Sequence, residues 1–472
     1  MPAVSKTDRQ TLGAAGRLAE FAADLDERSL PQEVRHCLLT LLIDFFRVAS
    51  LGTELPWAHK VNQTFAELGG TPVASILYSE QKTDVVRAAY LNGVIAGSLE
   101  WDDTHVGAML HPGVVVWPAA LAVGQMVGAS RDKIVCAAAA GYETMIRIGL
   151  AVQPKHFQRG FQSTATCGAF GASVAAAKLL GLDRSGIRNA IGLAANCSAG
   201  VTQFFLSGSE VKRIHAGKAS AAGVQAALLA QAGFQASSPG LEYPGGFGSA
   251  LAGTFDPKAI ETGLGRNFHI LRLQMKPHAI SARVLAAVEA AEAILQKGFR
   301  ADQIANVEIG VPKVIVGRLT NSAPADLQQA QMSAPFAVAM ALVLGAKRDP
   351  PLVISIDDCE QSLRRPEICD LSRRTSCIID PDIERTSNSE YVSARVTVTL
   401  SDGRTASATI ETPLGCADRP MTVADLRERF RSVVNGRISD GVLNRWIDAL
   451  DGEQTTDWLD SLMSLRLNRL ES

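Results

Sequence analysis

The stretch LEWDDTHVGAMLHPGVVVWPAALAVGQ, residues 99–125, gathers Glu100, Asp102, Asp103, Thr104, His105 and His111 directly ahead of a long uncharged run. Carboxylates and imidazoles at the mouth of an apolar element either cap a helix or act as acids and bases. Capping suits Asp103 and Thr104, whose side-chain oxygens can accept from the free amides of a first helical turn. His111 is different. Proline fits the first turn of a helix, so His111-Pro112 puts an imidazole at the N-terminal edge. The positive end of the helix dipole there favours the neutral ring and attracts an anionic substrate. Such a histidine has the chemistry of a general base near neutral pH.

Two further clusters carry cations. In SGSEVKRIHAGKA, a helix would put Lys212 and His215 on one face, with Arg213 about a third of a turn away. A solvated face would explain the spacing alone. The flanks VTQFFLSG and GKASAAGVQAALLA read as buried, however, so cations between them need anionic partners, and substrate carboxylates are one kind. In LRLQMKPHAISARV, Lys276 precedes proline, which disfavours helix at that residue and predicts a loop before the next helix. Lys276 and His278 at that entrance could also hold an anion. No GxGxxG, Walker loop, HExxH or GxSxG occurs, and YPGGFGSALAG lacks the Lys-Ser/Thr ending of a phosphate loop, so it reads as a turn between helices. No cofactor is called for. The eight cysteines form no CxxC pair and no zinc spacing, so no metal is expected and the thiols read as reduced.

The elements that must position these groups read in two textures. With 472 residues the chain exceeds one ordinary core, so two domains are expected. A net charge of −2 excludes a nucleic-acid-binding surface by composition. Residues 106–130 lack Asp, Glu, Lys and Arg, yet they hold His111, Pro112, Pro118 and Gln125, so a buried helix is favoured over a membrane span. The N-terminal residues show no continuous apolar signal region, and a cytoplasmic protein is the expectation. LPQEVRHCLLTLLIDFFRVASLG has helical spacing and closes on Gly52, which would adopt a left-handed terminal conformation. Helices rich in Ala, Gly and Ser follow to about residue 265. Beyond it, ANVEIGVPKVIV and YVSARVTVTLSDGRTASATIETPLG read as strands, the latter a hairpin around Ser401-Asp402-Gly403. The tail from Thr422 returns to amphipathic helix. The expected fold is mainly α: a large helical domain from 1–265 and 416–472, with a smaller α+β lid domain inserted at 266–415.

Taken together, LEWDDTHVGAMLHPG, GYETMIRIG, GFQSTATCGAFGASVAAAKLLGL, SGSEVKRIHAGKASAAG and KPHAISARV stand in an order and spacing that resembles the MmgE/PrpD family along nearly the whole chain. The resemblance implies a cofactor-independent enzyme, commonly a homodimer, with its site between a helical domain and an α+β lid. It implies Glu100, His111, Lys212 and Lys276 as first-rank site residues, with Thr104 completing the catalytic set; Asp103, Gln162, Arg213, His215 and His278 are the substrate-binding candidates. Three positions depart from the family pattern: Gln162 stands where many members have histidine, Ser281 where decarboxylase-type members have histidine, and Phe336 where tyrosine is common. The expected chemistry is proton removal next to a carboxylate of a small di- or tricarboxylic acid. His111 is the base and the two lysines hold carboxylates and the developing enolate charge. Departure of hydroxide makes a dehydratase-type lyase. Return of the proton to the other face would make an epimerase or isomerase of a dicarboxylate, and a non-catalytic carboxylate-binding relative is the third possibility.

Overall fold

A computed structural model describes residues 13–66, 68–204, 209–237, 241–348, 351–388, 390–451 and 458–468. The fold is mainly α. Six helices dominate the larger core: α1 (Gln32–Gly52), α2 (Val85–Gly97), α3 (Gly113–Val127), α4 (Arg131–Val152), α5 (Ser163–Leu179) and α6 (His215–Gln231). Small residues decide how closely they pack. A Cβ on Gly223 of α6 would stand 2.4 Å from the Ala172 Cβ of α5, and one on Gly93 of α2 would stand 2.7 Å from the Gly217 Cα of α6. The uncharged run after His111 is α3, buried on all sides from Gly113 to Gly124. Among the described residues one helix, α4, is long and apolar enough to cross a membrane, and 94% of its apolar window is buried inside the protein.

Gly52 departs from its expected role. It remains within α1, the residue after it is right-handed, and Gly52 has no positive φ. Its job is proximity: a Cβ there would meet the Ile95 carbonyl oxygen of α2 at 1.8 Å.

A two-residue ribbon pairs β1 (Ala74–Ser75) with β2 (Lys82–Thr83). The second core is built on β3 (Ile304–Val311), β4 (Thr375–Ile379), β5 (Ala394–Leu400) and β6 (Thr405–Ile410), in sheet order β4-β3-β5-β6. Along β5, Ala394, Val396, Val398 and Leu400 alternate inward, and β5 and β6 join through Gly403 at φ 87°. Strand β4 has no counterpart in the sequence reading. It runs parallel to β3 at the sheet edge with only Thr375 buried, so no apolar alternation announces it. Helices α7 (Leu285–Leu295) and α8 (Ala334–Gly345) pack into this core.

The helical cluster runs from Ala14 to Met275 and resumes at Met421, where α9 (Val423–Val434) contributes Leu426 and Phe430. The second cluster takes residues from Ile280 to Ala406, together with Val106. The chain therefore passes between cores around 276–279 and again around 410–420. Val48, Leu99, Trp101, Ala279 and Ile356 fill the seam with a small apolar cluster of their own.

Candidate functional site

The seam holds the opening cluster. Leu99 and Trp101 drop into the apolar filling, and between and beyond them Glu100 and Asp102 meet Lys276 instead. Glu100 adopts φ 58°, a left-handed conformation that a non-glycine residue takes at a cost. Its carbonyl accepts from Lys276 Nζ at 2.6 Å. The loop is pinned on its other side by reciprocal bonds between Thr104 and Gln274, each 2.8 Å.

Around Glu100 the charges interlock. Lys212 comes from a 3₁₀ turn, Glu210–Ile214, rather than an α-helix, and its ammonium donates to Glu100 Oε2. Lys276, fully buried in the crossing before α7, lies 3.4 Å from Glu100 Oε1 and 3.8 Å from Asp102 Oδ1. Burial alone would raise the Glu100 pKa, but Lys212, Lys276 and His111 outweigh it and hold the carboxyl well below the usual range. Asp102 is likewise held below its ordinary value, burial being overcome by His111 and Lys276. Burial lowers the Lys212 pKa, with Glu100 opposing. Two carboxylates and two ammonium groups thus balance at the centre.

His111 stands at the lip of α3, its backbone N–H donating to Thr164 Oγ1 at 3.0 Å. All the ring's described polar neighbours gather on Nδ1: Thr104 Oγ1 at 3.0 Å, Asp102 Oδ2 at 3.1 Å and the Asp103 carbonyl at 3.2 Å. In the neutral ring that donates Nδ1–H to this carboxylate, the lone pair lies on Nε2. The side chain keeps 16% exposure.

The sequence reading passed over Asp102 as a site residue. The available signal was alternation: in Leu99-Glu100-Trp101-Asp102, apolar and acidic residues exchange places, so both acids leave the apolar cluster on one side.

The remaining candidates have other engagements. Asp103 Oδ1 accepts from Gly113 N–H at 2.9 Å, which is the capping role, whereas Thr104 turns to His111. Burial, with Asp102 adding, pushes Asp103 up to about 8, which favours its neutral acid form near neutral pH. Gln162 Oε1 caps α5 at the Ala165 amide, 2.6 Å away. Arg213 donates to the Ser98 carbonyl and reaches Gln331 Oε1 at 3.4 Å, with its guanidinium 4.8 Å from the Trp57 ring centre. His215 packs edge-on to Phe204, and burial pushes it down to about 4. His278 accepts from Ile354 N–H at 3.2 Å and lines a different cavity. Phe336 is buried in the second core, and Ser281 opens the 3₁₀ turn before α7.

A helical core and a sheet-bearing core that meet over a buried centre of carboxylates, lysines and a histidine define a mainly α, two-core protein with a cluster of ionisable groups in its seam. The chain belongs to the MmgE/PrpD family: residues 16–260 match the MmgE/PrpD N-terminal domain and residues 278–449 the MmgE/PrpD C-terminal domain. It is similar to a cis-aconitate decarboxylase of Aspergillus terreus, 26% identical over 91% of this chain and 90% of that protein. It is also similar to a cis-aconitate decarboxylase-like protein of Aspergillus oryzae, 24% identical over 95% and 96%. The human cis-aconitate decarboxylase is 25% identical over 84% of this chain and 83% of its own length.

Proposed function

We propose that the protein is a lyase that removes a proton next to a carboxylate of a small di- or tricarboxylic acid and expels a β-hydroxyl as water. The observation that carries this reading is the placement of His111. Its Nδ1 is committed to Asp102 and Thr104, and that same Asp102 lies against Lys276. A base and an anion-holding cation therefore share one carboxylate.

In this reading, a substrate carboxylate competes with Glu100 for the donors of Lys212 and Lys276. His111 Nε2 takes the proton from the adjacent carbon, and the electron pair moves into the carboxylate as an enolate-like dianion stabilised by the two ammonium groups. Collapse of that charge breaks the β-carbon–oxygen bond. The proton now on His111 leaves with the hydroxide as water, so the enzyme returns to its starting state. Low exposure of both lysines strengthens their hold on the developing charge.

The similarity to proteins named cis-aconitate decarboxylase favours a second reading on the same residues. There, protonated His111 delivers its proton to carbon as the carbon–carboxylate bond breaks and CO2 departs, with the lysines again holding the dienolate.

Proton NMR in D2O with citrate-like, aconitate-like, malate-like and iminodisuccinate-like acids tests the proposal. Vinyl signals that appear or vanish as water is lost or added identify dehydration, and loss of a carboxylate with one deuterium gained at carbon identifies decarboxylation. Deuterium exchange at a Cα position with no new product would overturn the lyase reading in favour of epimerisation. Carboxylate binding with no exchange at all would reduce the protein to a binding relative.

A further inference from the structure

A cavity of about 350 Å³ opens beside the crossing, walled by residues of both cores and by none of the charged residues of the centre just described. Pro277 and His278 line it from that crossing, Glu289 and Glu292 from α7, Arg419 from the return segment and Arg429 from α9. Its volume lies within the range of small-ligand pockets.

Arg429 sets its chemistry. The residue is only 5% exposed, and its one described hydrogen bond runs from Nη1 to the Pro277 carbonyl at 3.2 Å. Among the described residues no Asp or Glu oxygen stands within ion-pair distance of it. The other charged groups on the wall do not supply one. Glu289 is taken by Arg419 and by the Leu414 amide, 3.0 Å from Oε2, while Glu292 Oε2 stands 4.0 Å from Nε2 of His278, an imidazole that burial pushes down to about 3. A guanidinium carries five donors in a planar fork that matches a carboxylate. Glu292, Asp425 and Glu428 act on it only from beyond ion-pair distance, so part of the cost of burying the guanidinium is left standing, and a bound anion would offset it.

We infer that this cavity is a second binding site for a small organic carboxylic acid, one carboxylate seated on Arg429 and the far polar end on Glu292 and His278. The carboxyl of Glu292 is pushed up to about 7, chiefly by burial, with Arg429 opposing and Glu289 adding. Near neutrality it can therefore donate a proton to the ligand rather than repel it. Because α9 belongs to the helical core and α7 to the second, the acid would bridge the two cores.

Isothermal titration calorimetry of the full chain with succinate tests this. Wild type is expected to bind two equivalents, one at the Lys212 centre and one here. Lys212→Ala should keep the second, and Arg429→Gln should weaken it by about tenfold or more, the loss of one charge-assisted contact. A single wild-type site that Lys212→Ala removes and Arg429→Gln spares would overturn the inference. A single site indifferent to Lys212→Ala but lost with Arg429→Gln would support it even if the proposed reaction is wrong. Should Arg429→Gln fail to fold, Ala293→Trp decides, since it fills the cavity and leaves every charge in place. Undiminished second-site binding in that variant would overturn the assignment. So would displacement of succinate by an equal concentration of inorganic phosphate, which would mark a generic anion contact.

Discussion

Asp102 Oδ2 stands 3.1 Å from His111 Nδ1, and the other oxygen of the same carboxylate lies 3.8 Å from Lys276 Nζ. One side chain therefore orients the proposed base and helps to hold the lysine that would bind substrate. Asp102→Asn keeps the shape but offers an amide N–H to Nδ1, which drives the ring proton onto Nε2, where a base must be bare. We expect kcat to fall by about 10²-fold or more with KM changed far less. Steady-state kinetics beside a circular dichroism spectrum checks it, and a variant of unchanged kcat would show that Asp102 does not position the ring.

Glu100 and Lys212 form the tightest pair of the centre, with side-chain exposures of 6% and 10%. Lys212→Met leaves Glu100 to Lys276 and the longer-range pull of His111, a partly uncompensated buried carboxylate, and should lower stability by about 3 kcal/mol. Adding Glu100→Gln should recover most of that stability in urea unfolding while turnover stays lost. Additive losses in the double variant would mean that the two side chains are not coupled.

How far the sequence reveals this site depends on whether a residue's neighbours in the chain are also its neighbours in space. His111-Pro112 ahead of an uncharged run announces a residue at a helix entrance, and Lys276-Pro277 announces a loop, because both signals are local. The mainly α architecture and the family likeness are legible for the same reason, being spread over many helices. The partner of each charge is not. Gln162 and Asp103 carry the right atoms for substrate contacts, but the nearest free amides, those of Ala165 and Gly113, take them as caps. Asp102 is hidden as one acid among several until the crossing between cores brings the distant Lys276 against it. The role of Gly52 is hidden likewise, since it depends on where α2 lies.

Gly52 provides a test of the packing. A methyl group at this position would overlap the Ile95 carbonyl at 1.8 Å, and backbone cannot swing aside as a long side chain could. Gly52→Ala should destabilise the protein by about 3 kcal/mol, despite the better helix propensity of alanine. Thermal unfolding of the variant measures this, and an unchanged or raised Tm would mean that α1 and α2 do not approach so closely.

Asp103 gives the pH dependence a sign. Burial and the adjacent Asp102 raise its pKa from the ordinary 3.8 to about 8, so the folded state binds a proton that the unfolded chain has already released between those values. The stability drawn from this group is fully present below about pH 4, declines as pH rises, and is gone once pH passes about 8. Asp103→Asn keeps an oxygen for the Gly113 amide and cannot ionise. Its stability relative to wild type should therefore climb between pH 5 and pH 8, by on the order of a few kcal/mol, and level off above that. Urea unfolding of both proteins at several pH values gives the difference directly. A difference that stays flat across the window would show that Asp103 is already ionised in the folded protein, and it would have to be counted as a second negative charge beside Asp102.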